Sequence, residues 1–161
     1  MDTYLLFRAV TELGECLRVN GTMLATAESC TGGLLASTLT DVPGSSDWFK
    51  GSVVAYANEV KRDLLGVPAE TLEAHGAVSE PVVLAMARGV LDAVGADVSV
   101  AISGVAGPGG GTPQKPVGTV WMAWAWPGGT RARRYDFSGD RAAIKAQSVM
   151  TAINGLLGVA R

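Results

Sequence analysis

MLATAESCTGGLLASTL, residues 23–39, sets a short apolar run against a polar knot and a glycine pair, then returns to apolar residues at helical spacing. Met23 to Ala27 read as a buried strand, too short for a helix of the usual length. From Thr31 onward, the spacing of Leu34, Leu35 and Leu39 predicts a helix over 31–40. A strand that feeds a helix through Glu28-Ser29-Cys30-Thr31-Gly32-Gly33 opens an α/β unit. It also puts polar side chains at the carboxyl end of a strand, where open α/β sheets bind ligands.

The rest of the chain extends this pattern. Tyr4, Leu5, Val10, Leu13 and Leu17 form a helical stripe over 4–19. GSVVAYANEVK, 51–61, begins as a strand from Ser52 to Tyr56 and turns helical around Asn58. VSEP, 78–81, is a helix start: Ser79 can cap, Glu80 suits the positive helix end, and Pro81 is tolerated in the first turn. That helix should run to Val94, where Gly95 stops it. DVSVAIS (97–103) and VGTVWMAWAW (117–126) read as strands, and PGG (127–129) turns the second into a third, Thr130 to Phe137. Asp140 caps a last helix with Ile144, Val149, Ile153 and Leu156 facing inward. The expected architecture is α/β, a three-layer sandwich with a mixed β-sheet flanked by helices, in a single domain over 1–161.

Of the 161 residues, 48% are hydrophobic and 17% charged, the balance of a chain that folds around a core. A net charge of −2 asks for no polyanionic partner. RARR, 131–134, sits in an exposed strand without a basic helix around it, so no nucleic-acid partner is expected. Cys16 and Cys30 have neither metal spacing nor a disulfide framework, and the one histidine, His75, ends the short acidic segment AETLEAHG. No metal and no cofactor are expected. No apolar run is long enough to span a bilayer, and MDTYLLFRAV has no basic stretch of a signal peptide. A cytoplasmic protein without a membrane partner is the expectation. VWMAWAW, with three tryptophans, reads equally as core or as subunit interface.

Three polar clusters fall at strand ends: Glu28 to Thr31, Tyr56 to Lys61, and Ser103 to Gly111. Ser29 is either a helix cap or a nucleophile, although no G-x-S-x-G elbow surrounds it. Nothing marks the lone histidine as its partner, which leaves the amine of Lys61. A serine–lysine pair works when desolvation leaves the amine neutral enough to take the hydroxyl proton, at about 1.4 kcal/mol per pKa unit. Spacing alone equally allows Lys61 to be a solvated helix lysine beside Glu59 and Arg62. Cys30 competes as nucleophile, because a helix N-terminus lowers a thiol's pKa; the alternative is a small buried filler. SGVAGPGGGTPQKPVG, 103–118, is neither a P-loop nor a G-x-G-x-x-G, but its glycines would let amides approach an anion. Lys115 or Arg141 could hold a phosphate, Arg141 with two-pronged geometry, unless GDR is only a capped surface helix.

As a set, AESCTGG (27–33), PGSSDWFKGSVVAYANEVK (43–61), LGV (65–67), HGAVSE (75–80), SGVAGPGGG (103–111), KPVGTV (115–120) and GDR (139–141) resemble the CinA C-terminal domain family, over roughly residues 5–157. The family's characterised activity is nicotinamide-nucleotide amidase. The resemblance implies hydrolysis of nicotinamide mononucleotide to nicotinate mononucleotide and ammonia, without a metal, by a serine and a lysine. These fall on Ser29 and Lys61, with Tyr56 matching an assisting tyrosine. Ser103 stands where the family usually has threonine, Arg141 matches a candidate phosphate ligand, and Lys145 replaces a second arginine in many members. In the mechanism this suggests, Thr31 caps the helix and amides from Thr31, Gly32 and Gly33 receive the oxyanion. Ser103, Gly107, Gly109 and Arg141 hold the rest of a small-molecule nucleotide. The family's tendency to dimerise implies a homodimer or higher homo-oligomer. Larger CinA proteins add an N-terminal domain with nucleotide pyrophosphatase activity, a reaction not expected of this sequence. The alternative is a nucleotide-binding or regulatory module of the same fold without turnover.

Overall fold

In the computed structural model, which describes residues 2–161, the Asp2 carboxylate accepts from the amides of Tyr4 and Leu5 and starts helix α1, Thr3–Val19. Strand β1, Leu24–Glu28, follows, then α2, Leu34–Thr40, and a 3₁₀ turn, Ser45–Asp47. The chain continues through β2 (Phe49–Val54), α3 (Asn58–Leu65), α4 (Ala69–His75) and α5 (Glu80–Val94). It ends with β3 (Val98–Gly104), the hairpin β4 (Thr119–Trp126) and β5 (Gly129–Asp136), and α6 (Arg141–Ala160). The sheet order is β2-β1-β3-β4-β5, parallel from β2 to β3 and antiparallel from β3 to β5. This is the mixed α/β sheet that the sequence pattern predicts.

Side-chain size on the two faces of the sheet sets the layers. One face carries Leu24, Val98, Val100, Ile102, Val120, Met122 and Trp124 and packs under α1, α2 and α6. Trp124 is fully buried, its indole Nε1 donates to the Ala152 carbonyl at 3.1 Å, and the bare Cα of Gly155 makes room for the ring. This tryptophan belongs to the core. The opposite face is floored with Ala25, Ala27, Ala101, Ala123 and Ala125, which lets α5 settle close through Val82, Val83, Met86 and Val90. No described helix is long and apolar enough to cross a membrane.

Register aligns the strand ends that matter. Glu28, the last residue of β1, lies between Val54 of β2 and Ile102 of β3. The ladder runs one step further, with the Ser29 amide donating to the Ile102 carbonyl and the Ala55 amide to Glu28. Ser29, Ala55 and Ser103 therefore share one rim.

Several boundaries differ from the sequence reading, each for a local reason. α2 begins at Leu34, not Thr31, because Gly32 and Gly33 take left-handed φ values of +60° and +96° and turn the chain first. β2 starts at Phe49 and stops at Val54, so Tyr56 lies beyond the strand on the loop to α3. Ser79 holds the N-cap position of α5, but its hydroxyl donates to the Gly76 carbonyl at 2.7 Å instead of capping. Asp140 does cap α6, accepting from the Ala143 amide.

At Gly89 the bare backbone of α5 meets the carbonyl of Leu65, the last residue of α3, leaving no space for a Cβ. Gly89→Ala should push the two helices apart and cost about 3 kcal/mol, read as a lower urea midpoint.

Candidate active site

The turn after β1 is organised around a carboxylate. Glu28 is fully buried, and its Oε1 accepts from the Thr31 hydroxyl at 2.7 Å and from the amides of Leu35 and Gly33 at 3.0 and 3.2 Å. Oε2 accepts from the Ala36 amide at 2.9 Å and more weakly from the hydroxyls of Ser52 and Thr26 at 3.4 and 3.5 Å. Gly33, at the N-cap of α2, has no side chain to do this. The acid five residues earlier does it from beneath. Thr31 therefore faces Glu28 and the interior, and it does not cap α2 itself.

Ser29, Cys30, Tyr56, Asn58, Lys61, Ala77, Val78, Ser103, Gly104, Ala106 and Arg141 line one cavity of about 190 Å³ at the rim. Among the described residues, neither the Ser29 nor the Ser103 hydroxyl has a protein partner, and neither is sealed off from the cavity. Lys61 is only 1% exposed. Its ammonium donates to the Tyr56 carbonyl at 2.9 Å. Burial holds this amine below the ordinary lysine range, with nearby Cys30 acting weakly in the opposite direction. The Cys30 thiol moves the other way. Burial pushes it up to about 11, against a smaller pull from its own backbone amide, so at neutral pH it is a thiol and not a thiolate.

Arg141 divides this inner cavity from an outer one of about 770 Å³, which Ala106, Pro108, Val117, Gly139, Asp140, Ala142 and Lys145 line with it. Its Nη1 donates to the Gly107 carbonyl at 2.7 Å and its Nη2 to the Tyr56 hydroxyl at 3.1 Å. Tyr56 thus touches both cations of the inner cavity, Lys61 through its backbone and Arg141 through its phenol. Lys145 lies one turn along α6 from Arg141, with its amine about 4.0 Å from where a Cβ on Gly32 would stand.

The structure brings Ser29, Cys30, Lys61, Tyr56, Ser103 and Arg141 to one cavity, but not Gly32, Gly33, Gly107, Gly109 or Lys115. Gly32 and Gly33 shape the turn, and their amides are engaged by the Ser29 carbonyl and by Glu28. Gly107 gives its carbonyl to Arg141, and Gly109 stands in the open. Lys115 is spent elsewhere: its amine donates at 2.7 Å to the carbonyl of His75, the end of α4. Glu28 and Asn58 fall within the polar clusters read at strand ends but carry no assigned role there, and Ala77 and Val78 are not among the candidate residues. For Glu28 the available signal is an acid directly ahead of a turn whose N-cap position is glycine.

Comparison with known proteins fits this geometry. The family model for the CinA C-terminal domain matches residues 7–160. The chain belongs to this family. A CinA C-terminal relative from Escherichia coli K12, named nicotinamide-nucleotide amidohydrolase PncC, is 51% identical over 146 residues, covering 90% of this chain and 88% of that one. A Pseudomonas putida protein of the same name is 52% identical over 91% of this chain and 92% of its own. A CinA-like protein of Akkermansia muciniphila is 56% identical over 85% of this chain, which spans only 33% of that longer protein. The crystal structure of a CinA superfamily protein from Klebsiella pneumoniae superposes with a TM-score of 0.92 at 42% identity, covering 96% of this chain and 97% of that one.

The buried amine also has a thermodynamic signature. Between its depressed pKa and the ordinary 10.5, the unfolded chain binds more protons than the folded one, so Lys61 makes stability rise with pH. Lys61→Met should be more stable than the parent near neutral pH, and the gain should shrink as pH approaches 10.5; urea midpoints across that range check it.

Proposed function

We propose that this chain is a cytoplasmic amidohydrolase that converts nicotinamide mononucleotide and water to nicotinate mononucleotide and ammonia, with residues 1–161 acting as one amidase domain. The observation that carries the reading is a hydroxyl, a desolvated amine and a guanidinium around one cavity, in a chain half identical to enzymes named for this reaction.

Lys61, uncharged, takes the proton of Ser29 as the Ser29 oxygen bonds to the carboxamide carbon. The carbonyl oxygen becomes an oxyanion. Its donors are the amides of Cys30 and Thr31, since those of Gly32 and Gly33 are already taken. Lys61 then returns its proton to the leaving nitrogen, the C–N bond breaks, and ammonia departs from an acyl-enzyme. Water, giving its proton to Lys61, attacks the acyl carbon and the Ser29 oxygen leaves with that proton. Tyr56 holds Lys61 in place through its carbonyl.

Ala77, Val78 and Ala106 offer an apolar wall to the pyridine ring, and Ser103 a hydroxyl to its carboxamide. The remaining donors of Arg141, joined by Lys145, receive the ribose phosphate in the outer cavity. Binding energy from that distant anion then positions the amide. Asp140, also on that wall, has its carboxylate engaged in capping α6.

Ser29→Ala and Lys61→Ala should each lower ammonia release from nicotinamide mononucleotide by at least ~1,000-fold while leaving the protein folded. Cys30→Ala should keep most of the activity. Full activity in Ser29→Ala would remove the serine mechanism. An inactive parent chain that still binds the nucleotide would establish a binding module instead.

A further inference from the structure

We infer that Glu28 is a positioning residue for the reaction proposed above: it holds the Ser29 turn so that two amides, those of Cys30 and Thr31, stay free beside the nucleophile. The inference rests on that reading of the site and assigns Glu28 a part in it.

A count of the backbone donors from residue 29 to 37 carries the argument. The Ser29 amide donates to the Ile102 carbonyl, Gly32 to Ser29, Leu34 to Thr31, and Ser37 to Gly33. Gly33, Leu35 and Ala36 all donate to Glu28. Only Cys30 and Thr31 remain, with no backbone or carboxylate acceptor among the described residues; the Cys30 amide meets just its own sulfur. They follow Ser29 directly in the chain; that residue is 8% exposed, and its hydroxyl, without a protein partner among the described residues, opens onto the cavity that Cys30 also lines. A polar group in that state is poised for something that enters the cavity.

The side from which the cap arrives also matters. A serine or aspartate at the N-cap would place its oxygen on the turn itself. Glu28 reaches the same amides from within the sheet, tied further to Ser52 of β2. Gly33, at the N-cap position itself, brings no acceptor of its own. The Thr31 hydroxyl is drawn inward as well, at 2.7 Å, which fixes the peptide carrying one of the two free amides. Displacement of such a group by even an ångström costs on the order of 100-fold in rate.

Glu28→Gln keeps the size and one acceptor oxygen but turns an NH₂ toward the Ala36 amide. Its kcat on nicotinamide mononucleotide should fall about 100-fold with KM within about threefold. The aldehyde analogue, pyridine-3-carboxaldehyde ribotide, adds to Ser29 and places an oxygen where the oxyanion forms. Its affinity should fall by a similar factor, whereas the product nicotinate mononucleotide should bind as before. A folded Glu28→Gln enzyme with parental kcat, or equal losses for aldehyde and product, overturns the inference. Should that variant not fold, Thr31→Val decides, since it removes one bond to Glu28. A fall in kcat of about tenfold at unchanged KM is expected, and an unchanged kcat overturns the inference. A parent enzyme that binds the aldehyde no more tightly than the product overturns the serine mechanism itself, a separate failure.

Discussion

One carboxylate, fully enclosed at the end of β1, joins the sheet to the first helix of the rim. Removing a carboxylate from water costs several kcal/mol, and only a dense set of donors offsets that. Glu28 finds three amides and three hydroxyls, drawn from its own strand, the following turn and the neighbouring β2. Because those donors come from both sides of the chain reversal, the turn carrying Ser29 has one conformation. The glycines supply the left-handed backbone and the acid supplies the hold.

The two cations of the inner cavity are held in opposite ways. Lys61 is enclosed and meets a neutral backbone carbonyl, and burial outweighs the opposing pull of Cys30. Arg141 stands at the boundary between the cavities, tethered to a carbonyl and a phenol, and keeps its charge in contact with solvent. The proposed reaction, in which the amine moves a proton and the guanidinium holds an anion, calls for these different surroundings. Lys61 itself sits on α3, which packs close to α5 at the bare Gly89.

Much of this was readable from short-range pattern. The strand-turn-helix at 23–39, the Asp140 cap and the strand hairpin around residue 128 follow from propensity, glycine placement and periodicity. Ser29, Lys61, Tyr56 and Ser103 are legible from strand ends, Arg141 from the head of the last helix, and all five from the family resemblance; they meet at one cavity. What was not readable depends on partners distant in the chain. Glu28 could not be matched to Ser52, nor Lys115 to the carbonyl of His75, forty residues away. Thr31 looked like a cap because sequence does not say that an acid beneath the turn has claimed its hydroxyl. Trp124 looked as much like interface as core until Gly155 and the Ala152 carbonyl fell opposite it.

The segment between β3 and β4 is rich in glycine, yet it is pinned near both ends. Val105 pairs with Thr119 and Gly118, Gly107 with Arg141, and Lys115 with the end of α4. Chain entropy that a loose loop would surrender on meeting a ligand has therefore been given up already during folding. On the proposed function, a nucleotide arriving at this rim meets a wall whose hydrogen bonds were made during folding.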